Sequence, residues 1–283
     1  MDAVRKTLYE KLDRFWAETE PGAFNIAYSG GLDSTAVAYI FGRKYTGGIY
    51  LYTMHHNYGN LWPQLSERHA RDLGRIFGEE RVNHVIVNQT DVFNEITGRS
   101  LVKDWKPYGG HAIWCLGCHL GMLTNIVVRC LEHSIPRTAI CSSVGGEYAV
   151  MSMPVTRQSM SDIYWRYGIE YRAPLLEMGI DKLAERALLK DLGMWIGYRF
   201  RRGVHGVQPI CIPCFQHLGD VFFDWHTTYD ENNVGRYIMD KAVVIDGIVR
   251  RKIAEKGLDF DVLVAANRAQ HTRTEPYPHP RAC

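Results

Sequence analysis

The sequence lacks the features that mark several common classes of protein. It contains no GxxxxGKS or GxxxxGKT motif, so it has no Walker-type phosphate loop. We see no apolar run that we expect to span a bilayer. The first residues, MDAVRKTLYEKLDRFW, are charged and amphipathic and do not resemble a secretory signal. The lack of a membrane span and of a secretory signal predicts a cytoplasmic protein without a membrane partner.

The two signs of charge nearly balance, since the chain contains 33 Lys and Arg residues and 31 Asp and Glu residues. The charge of the whole chain therefore does not predict a nucleic-acid-binding protein, although a local basic patch can still bind one. Hydrophobic residues make up 46% of the 283 residues, which is sufficient for a full core. The length allows one large domain, or one domain with an appendage.

The cysteines do not form the pattern of a disulfide framework. Their number, seven, is odd, and four of them form two CxxC pairs. These are Cys115 and Cys118 in WCLGC, and Cys211 and Cys214 in ICIPC. We predict both pairs directly before a helix, where the dipole favours the thiolate that a metal requires. Four such sulfurs suit Zn²⁺ or an iron–sulfur cluster, with a redox dithiol or reduced structural thiols as alternatives.

Strand-like and helix-like segments alternate in the first half of the sequence. Apolar runs and helical periodicity therefore predict parallel βαβ units and a doubly wound sheet covered on both faces. The segments are strands at about 24–28, 48–56, 82–88 and 137–143, and helices at about 3–18, 34–42, 64–77 and 116–133. After about residue 145 the pattern changes, and we predict helices at about 181–192, at 215–226 and in parts of 236–267.

The corner SGGLDST follows the first predicted strand and precedes a helix. Two glycines let backbone N–H groups approach an anion, and the helix directs its N-terminal dipole at the same point. Asp33 would repel a bare anion, which implies a Mg²⁺ between its carboxylate and the phosphates. The alternative is an ordinary helix cap after a glycine turn. The predicted phosphate site consists of Ser29, Gly30, Gly31, Asp33, Ser34 and Thr35.

SGGLDST resembles the PP-loop of the N-type ATP pyrophosphatases, which include tRNA thiolation enzymes, 7-cyano-7-deazaguanine synthases and, more distantly, PAPS reductases. The resemblance extends over roughly residues 20–195 and implies an α/β fold of the adenine nucleotide α-hydrolase-like, Rossmann-like kind. It implies that ATP is cleaved between its α and β phosphates to adenylate a carbonyl or carboxyl oxygen. A nucleophile then displaces AMP, and Mg²⁺ lies near Asp33, which is catalytic.

Two further stretches resemble segments of the same family. YTMHHNYGN resembles the adenine-contacting segment, which implies that His56 lies against the nucleotide. YRAPLLEMGIDKLAERALLKDLGM resembles an element that places Lys182 at the catalytic centre and Arg172 near the substrate. Alternatively, these residues end a strand or carry solvated charges. The segment SSVGGEY departs from the Gly-His…Asp pattern of related thiolation enzymes. In YRFRRGVHG, Arg201 and Arg202 are candidate substrate-binding residues that could hold the phosphates of a nucleic acid or of ATP; the alternative is a solvated loop.

The resemblance divides the chain into an ATP-binding domain at 1–195, a helical C-terminal extension at 196–270 that carries the second CxxC, and an extended or disordered tail at 271–283. A CxxC inside the nucleotide domain resembles the iron–sulfur tRNA thiolation enzymes, in which three cysteines hold a 4Fe–4S cluster. Because Cys214 offers a fourth ligand here, Zn²⁺ is an equal candidate.

These observations predict adenylation of a carbonyl on a nucleobase or nucleotide-like substrate, tRNA included, followed by transfer of sulfur from a donor. One alternative is a zinc-containing amide- or nitrile-forming ligase like 7-cyano-7-deazaguanine synthase. Others are a PAPS-reductase-like enzyme that uses Cys283, and a nucleotide-binding protein without turnover. The sequence leaves the oligomeric state open.

Overall fold

A five-stranded parallel sheet forms the centre of the protein. The computed structural model describes residues 2–108, 110, 112–144, 150–200, 203–205, 209–211, 229–271 and 275–276. The strands of the sheet lie in the order β3-β2-β1-β4-β5, and all their pairings are parallel. Their bounds are β1 Phe24–Ala27, β2 Ile49–His55, β3 Val82–Asn88, β4 Arg137–Ala139 and β5 Glu170–Arg172. A separate two-stranded antiparallel sheet consists of β6 Tyr198–Phe200 and β7 Gly203–His205.

Helices cover both faces of the sheet, as the alternation of segments predicted. One hydrophobic cluster packs α6, α7 and α10 against the sheet, and a second packs α1, α2, α3 and α9 against it. The doubly wound fold is therefore confirmed. The helices are α1 Asp2–Trp16, α2 Leu32–Lys44, α3 Glu67–Phe77, α4 Thr90–Ile96, α5 Leu101–Trp105, α6 Ala112–Glu132, α7 Pro154–Arg166, α8 Pro174–Glu177, α9 Lys182–Asp191, α10 Glu231–Ala254 and α11 Phe260–Arg268.

The strand order creates a switch point between β1 and β4. From β1 the chain builds outward to β2 and β3, and it then returns to add β4 and β5 on the other side. Ligands of open α/β sheets bind outside the carboxyl ends of the strands at such a point. The loop at residues 28–31, which follows β1, lies there, and so does the segment that follows β4 at residues 140–144.

Several predicted elements differ in their bounds from those observed. The fourth strand ends at Ala139 instead of residue 143, and α2 begins at Leu32 instead of near residue 34. The sequence analysis missed β5 and α7 altogether. The first CxxC was wrongly predicted to precede a helix, because α6 begins at Ala112 and contains both of its cysteines. The helix predicted at 215–226 lies outside the described residues, and so does most of the predicted tail.

The helix α6 meets the length and hydropathy criteria for a membrane span, contrary to the expectation that no run is long enough. It is the one such helix among the described residues, and 72% of its apolar window is buried inside the protein. That burial is typical of the central helix of a layered α/β core. Because α10 packs against α6 and shares its hydrophobic cluster, this helix of the second half completes the core of the first half. The predicted domain boundary at residue 195 stays a prediction.

The helix α9 provides a test of how the second core cluster stabilises the fold. Leu188 is fully buried in that cluster, whereas Leu183 on the same helix is 66% exposed. We expect Leu188→Ala to lower the free energy of unfolding by about 2–5 kcal/mol, because it removes buried methyl groups and leaves a cavity. Leu183→Ala, the matched control, should change it by less than about 0.5 kcal/mol. Urea unfolding measures both, and equal effects would contradict the assigned packing of α9.

Candidate active site

The loop between β1 and α2 has the backbone of an anion site. Gly30 adopts φ +73°, a left-handed conformation that glycine adopts without strain. Gly31 is the N-cap of α2, and no side chain caps the first turn of this helix. The N–H groups of that turn are therefore available to an anion at the carboxyl end of β1.

The hydroxyl groups of the loop separate into two sets. The Oγ atoms of Ser29 and Ser34 lie 3.1 Å apart, and the backbone N–H of Gly31 donates to Ser29 Oγ at 3.2 Å. Thr35 is fully buried, and its Oγ1 lies 3.2 Å from the hydroxyl of Tyr28. Ser29 and Ser34 thus form the hydroxyl pair of the loop, while the Thr35 side chain supports the loop from beneath.

His69, which the sequence analysis missed, joins the loop to a distant part of the chain. It is 1% exposed on α3, its Nδ1 lies 2.7 Å from the carbonyl oxygen of Gly30, and its Nε2 lies 2.6 Å from that of Trp195. Arg68 stacks on the Trp195 ring at 4.3 Å. The sequence feature that could have indicated His69 is a polar ring within the buried stripe of α3, beside Ala70 and Leu73.

Asp33 and Lys182, both predicted to be catalytic, form an ion pair beside the loop. Asp33 lies in the first turn of α2, and Lys182 is the first residue of α9. A parallel bridge between Val144 and Asp181 brings α9 to the segment that follows β4. Burial lowers the pKa of Lys182, and the neighbouring Glu185 carboxyl opposes this shift. A carboxylate and an ammonium group therefore flank the uncapped end of α2.

Glu185 is a second acidic group of this site that the sequence analysis missed. It is fully buried, its Oε2 lies 3.4 Å from Lys182 Nζ, and its Oε1 has no hydrogen-bond partner. Burial raises the pKa of Glu185, although Lys182 acts in the opposite direction. The available signal was a charged residue inside the buried stripe of α9, beside Ala184 and Leu188.

Of the three predicted substrate-binding arginines, Arg172 lies in the described part of the chain. Arg172 is the last residue of β5. Its guanidinium donates a hydrogen bond to Glu177, with Nη2 2.5 Å from Oε2. A second carboxylate, Glu170, lies 3.5 Å from its NH1. These ion pairs hold the end of β5 against α8. Arg201 and Arg202 lie outside the described residues.

His56, predicted to contact adenine, lies in a buried aromatic cluster. It is 1% exposed and stacks on Phe93, with ring centroids 4.5 Å apart and an interplanar angle of 3°. Its Nδ1 accepts from the backbone N–H of Tyr58 at 3.2 Å, and Trp114 packs at 6.1 Å. Burial lowers the pKa of His56 to about 4. This arrangement buries the imidazole, in its neutral form, against Phe93 and Trp114, and Trp114 directly precedes the first CxxC.

The His56 environment predicts a pH dependence of stability. Its pKa falls from 6.5 to about 4 on folding, so the unfolded chain binds more protons between these values. The His56 contribution is therefore complete above pH 6.5 and is lost as the pH falls toward about 4. We expect His56→Phe to reduce the fall in the urea midpoint over this window. The same change at the exposed His133 is the control, and an unchanged slope in His56→Phe would contradict the assignment.

The first CxxC lies on one face of α6. Cys115 and Cys118 are three residues apart in its first two turns, and three-residue spacing brings helical side chains together. Cys118 is 6% exposed, and its Sγ accepts from Gln89 Nε2 at 3.4 Å and from Asn60 Nδ2 at 3.7 Å. The structure thus surrounds this sulfur with amide donors.

A short antiparallel pairing directly precedes the second CxxC in the sequence. Leu61 and Ile210 exchange two backbone hydrogen bonds, of 2.8 and 2.9 Å. Cys211 directly follows Ile210 in this pairing, and Asn60 directly precedes Leu61. Asn60 contacts Cys118 through its side-chain amide, whereas Cys214 lies outside the described residues. Within the described ranges, no group of three His, Cys, Asp or Glu side chains is arranged to hold a metal ion.

No protein-family model matches the chain, and no curated protein matches it. Among solved structures, it is similar to an NMN synthetase from Francisella tularensis, with 10% identity, 86% of this chain and 95% of that chain covered, and a TM-score of 0.45. It is also similar to a predicted subunit of tRNA methyltransferase from Methanocaldococcus jannaschii, with 15% identity, coverage of 85% and 90%, and a TM-score of 0.41.

A third similar structure is a U34-tRNA thiolase from Methanococcus maripaludis with its 4Fe–4S cluster, with 12% identity, 88% of this chain and 80% of that chain covered, and a TM-score of 0.42. At identities of 10–15%, no conclusion about the reaction follows from these matches. The resemblance to the PP-loop enzymes continues to rest on SGGLDST and on the loop that these residues form.

Proposed function

We propose that the chain is an ATP-dependent adenylating enzyme of the PP-loop type, which then transfers sulfur to the activated carbon. The observation that carries this proposal is the meeting of three features at the switch point of the sheet. These are the uncapped N-terminus of α2, the left-handed Gly30 and the Asp33–Lys182 pair. Together they supply N–H groups for a phosphate, a carboxylate for Mg²⁺ and an ammonium group for developing negative charge.

The residues of the loop suit ATP with its magnesium ion. The Asp33 side chain is 28% exposed, so its carboxylate can ligate a hard cation that also contacts the phosphates. In the proposed first step, a carbonyl oxygen of the substrate attacks the α-phosphorus of ATP, and pyrophosphate leaves with the bonding electrons. The loop N–H groups and Lys182 stabilise the leaving pyrophosphate, so catalysis is mainly positioning and charge stabilisation.

In the proposed second step, a sulfur nucleophile attacks the adenylated carbon, and AMP leaves with the former carbonyl oxygen. We propose that Cys115, Cys118, Cys211 and Cys214 hold an iron–sulfur cluster or Zn²⁺ for this step. The support is the pairing of Ile210, which precedes Cys211, with Leu61, because the neighbouring Asn60 contacts Cys118. Soft sulfur ligands suit either centre. The substrate class that we propose is a nucleobase or nucleotide-like carbonyl compound, tRNA included.

The products of ATP cleavage test the proposal. The full-length protein, purified without oxygen, is incubated with ATP, Mg²⁺, sulfide and either bulk tRNA or a panel of nucleotides. We expect AMP and pyrophosphate in equal amounts, together with a thiocarbonyl product identified by mass spectrometry. ADP and phosphate would contradict cleavage between the α and β phosphates. A product that forms with ammonium but not with sulfide would contradict sulfur transfer and favour the amide-forming ligase.

A further inference from the structure

Both ring nitrogens of His69 face carbonyl oxygens. Its Nδ1 lies 2.7 Å from the oxygen of Gly30, and its Nε2 lies 2.6 Å from the oxygen of Trp195. A carbonyl oxygen only accepts hydrogen bonds, and a neutral imidazole carries a hydrogen on only one of its nitrogens. Either neutral tautomer would therefore set a nitrogen lone pair against a carbonyl oxygen at hydrogen-bond distance. Both contacts are favourable when the ring is an imidazolium ion, which donates from both nitrogens.

The surroundings of this ring provide it with no ion partner among the residues that the structure describes. The ring is 1% exposed, and its further polar contact is with Thr35, whose Oγ1 lies 3.3 Å from Nδ1. Asp72, one turn further along α3, is paired with Arg75 at 2.9 Å, and the Arg68 guanidinium stacks on an indole ring. A buried charge without an ion partner costs free energy, and an anion bound nearby offsets that cost.

The peptide between Gly30 and Gly31 connects His69 to the anion site. A trans peptide directs its carbonyl and its N–H group to opposite sides. Its oxygen faces the imidazole, and its N–H donates to Ser29 Oγ at 3.2 Å, within the hydroxyl pair of the loop. The histidine therefore fixes the direction of this N–H. A charged donor on the oxygen also polarises the peptide and makes its N–H a stronger donor to an anion.

We propose that His69 is a positioning residue of the anion site, held as an imidazolium ion whose charge is balanced by the pyrophosphate group that the loop binds. The inference deepens the proposed function, because it rests on the assignment of this loop to the phosphates of ATP. The ring acts on the anion through the Gly30–Gly31 peptide and through its charge. Its second hydrogen bond, to Trp195, anchors it to the segment that follows α9.

Nitrogen NMR of the full-length protein, isotope-labelled in its histidine rings, tests the charge. The resonance of a ring nitrogen distinguishes a nitrogen that carries hydrogen from one that does not. With Mg²⁺ and inorganic pyrophosphate, at a slightly alkaline pH where a solvated imidazole is neutral, we expect hydrogen on both nitrogens of His69. The signal is assigned by its nuclear Overhauser contact with the Thr35 side chain, so the measurement needs no variant. A His69 nitrogen without hydrogen in this complex would overturn the inference.

Two variants separate the charge from the hydrogen bond to the loop. The amide nitrogen of Asn lies two bonds from Cβ, as Nδ1 does, whereas that of Gln lies three bonds away, as Nε2 does. His69→Asn therefore keeps a donor for Gly30 and loses the charge, and His69→Gln keeps a donor for Trp195 and loses both. In titration calorimetry, magnesium pyrophosphate should bind about 10-fold more weakly to His69→Asn and up to about 100-fold more weakly to His69→Gln.

The control is His133→Gln, because His133 is exposed after α6 and belongs to no site described above. It should leave the affinity unchanged. Unchanged affinity in both His69 variants would overturn the inference, and so would failure of the unchanged protein to bind magnesium pyrophosphate. If His69 is charged and its variants bind more weakly in a protein that makes no AMP, the positioning role stands and the adenylation proposal fails. AMP formation with a neutral His69 would remove this inference and leave the adenylation proposal in place.

Discussion

Replacing Asp33 by Asn is expected to reduce the formation of AMP and pyrophosphate by about 10²–10³-fold, which is the loss typical of removing one charge-stabilising group. The carboxylate is the proposed Mg²⁺ ligand of the loop, and the neutral amide is a poor ligand for a hard cation. Asn retains the size of the side chain, so the protein should stay folded. Release of pyrophosphate from ATP measures the effect, and circular dichroism checks the fold.

The matched control for this change is Asp91→Asn. Asp91 also lies in the first turn of a helix that follows a parallel strand, but it is exposed and belongs to α4. Its replacement should leave the rate unchanged. If Asp33→Asn and Asp91→Asn have the same activity, the metal role assigned to Asp33 is wrong, and Lys182 must have another purpose than to balance that carboxylate.

The second large effect is expected at the cysteines. Cys118→Ser and Cys211→Ser should each lose the bound metal, because a hydroxyl does not replace a soft sulfur ligand. Cys130→Ser should retain it, since Cys130 is fully buried in the core and hydrogen-bonded to Asn25. Elemental analysis of protein purified without oxygen measures the metal, and the visible spectrum separates iron–sulfur from zinc. Equal metal content in all three variants would remove the cysteine centre from the proposal.

The sheet was largely predictable because its central strands are apolar runs buried in a parallel arrangement. The strand β5 was missed since its three residues are Glu170, Tyr171 and Arg172, two of which are charged. Ion pairs stabilise these charged residues at the edge of the sheet. Arg137 lies 3.7 Å from Glu170, and Glu177 pairs with Arg172. Arg137 lies 33 residues before Glu170 along the chain, so no local sequence pattern indicates that the two side chains pair.

The start of α6 was misplaced for a similar reason. The predicted helix began at about residue 116, whereas α6 begins at Ala112; Gly117 of WCLGC lies inside it. A Cβ at this position would collide with the side chain of Thr97, so the glycine permits close packing against the segment before α5. Thr97 also lies 2.8 Å from the hydroxyl of Tyr237 on α10. The requirement for glycine at position 117 therefore comes from packing among three distant segments, and not from local helix propensity.

The part of the candidate site that lies within one short motif was predictable from the sequence. SGGLDST indicated the loop, and the resemblance indicated Lys182, which pairs with Asp33 across 149 residues. His69 and Glu185 were not found, because each is a polar residue in an apolar stripe, which sequence patterns treat as an exception to the core. Their roles depend on carbonyl and ammonium groups that only tertiary packing brings near.

The two carbonyl contacts of His69 have a consequence for any exchange of segments between this protein and its relatives. One ring meets the peptide at Gly30 and the peptide at Trp195, 165 positions apart in the sequence. A chimera that joins the first 190 or so residues of one homologue to the remainder of another must therefore preserve both the imidazole and the backbone course at 195. Otherwise the graft alters the loop between β1 and α2 from a distance, even when every residue of SGGLDST is retained.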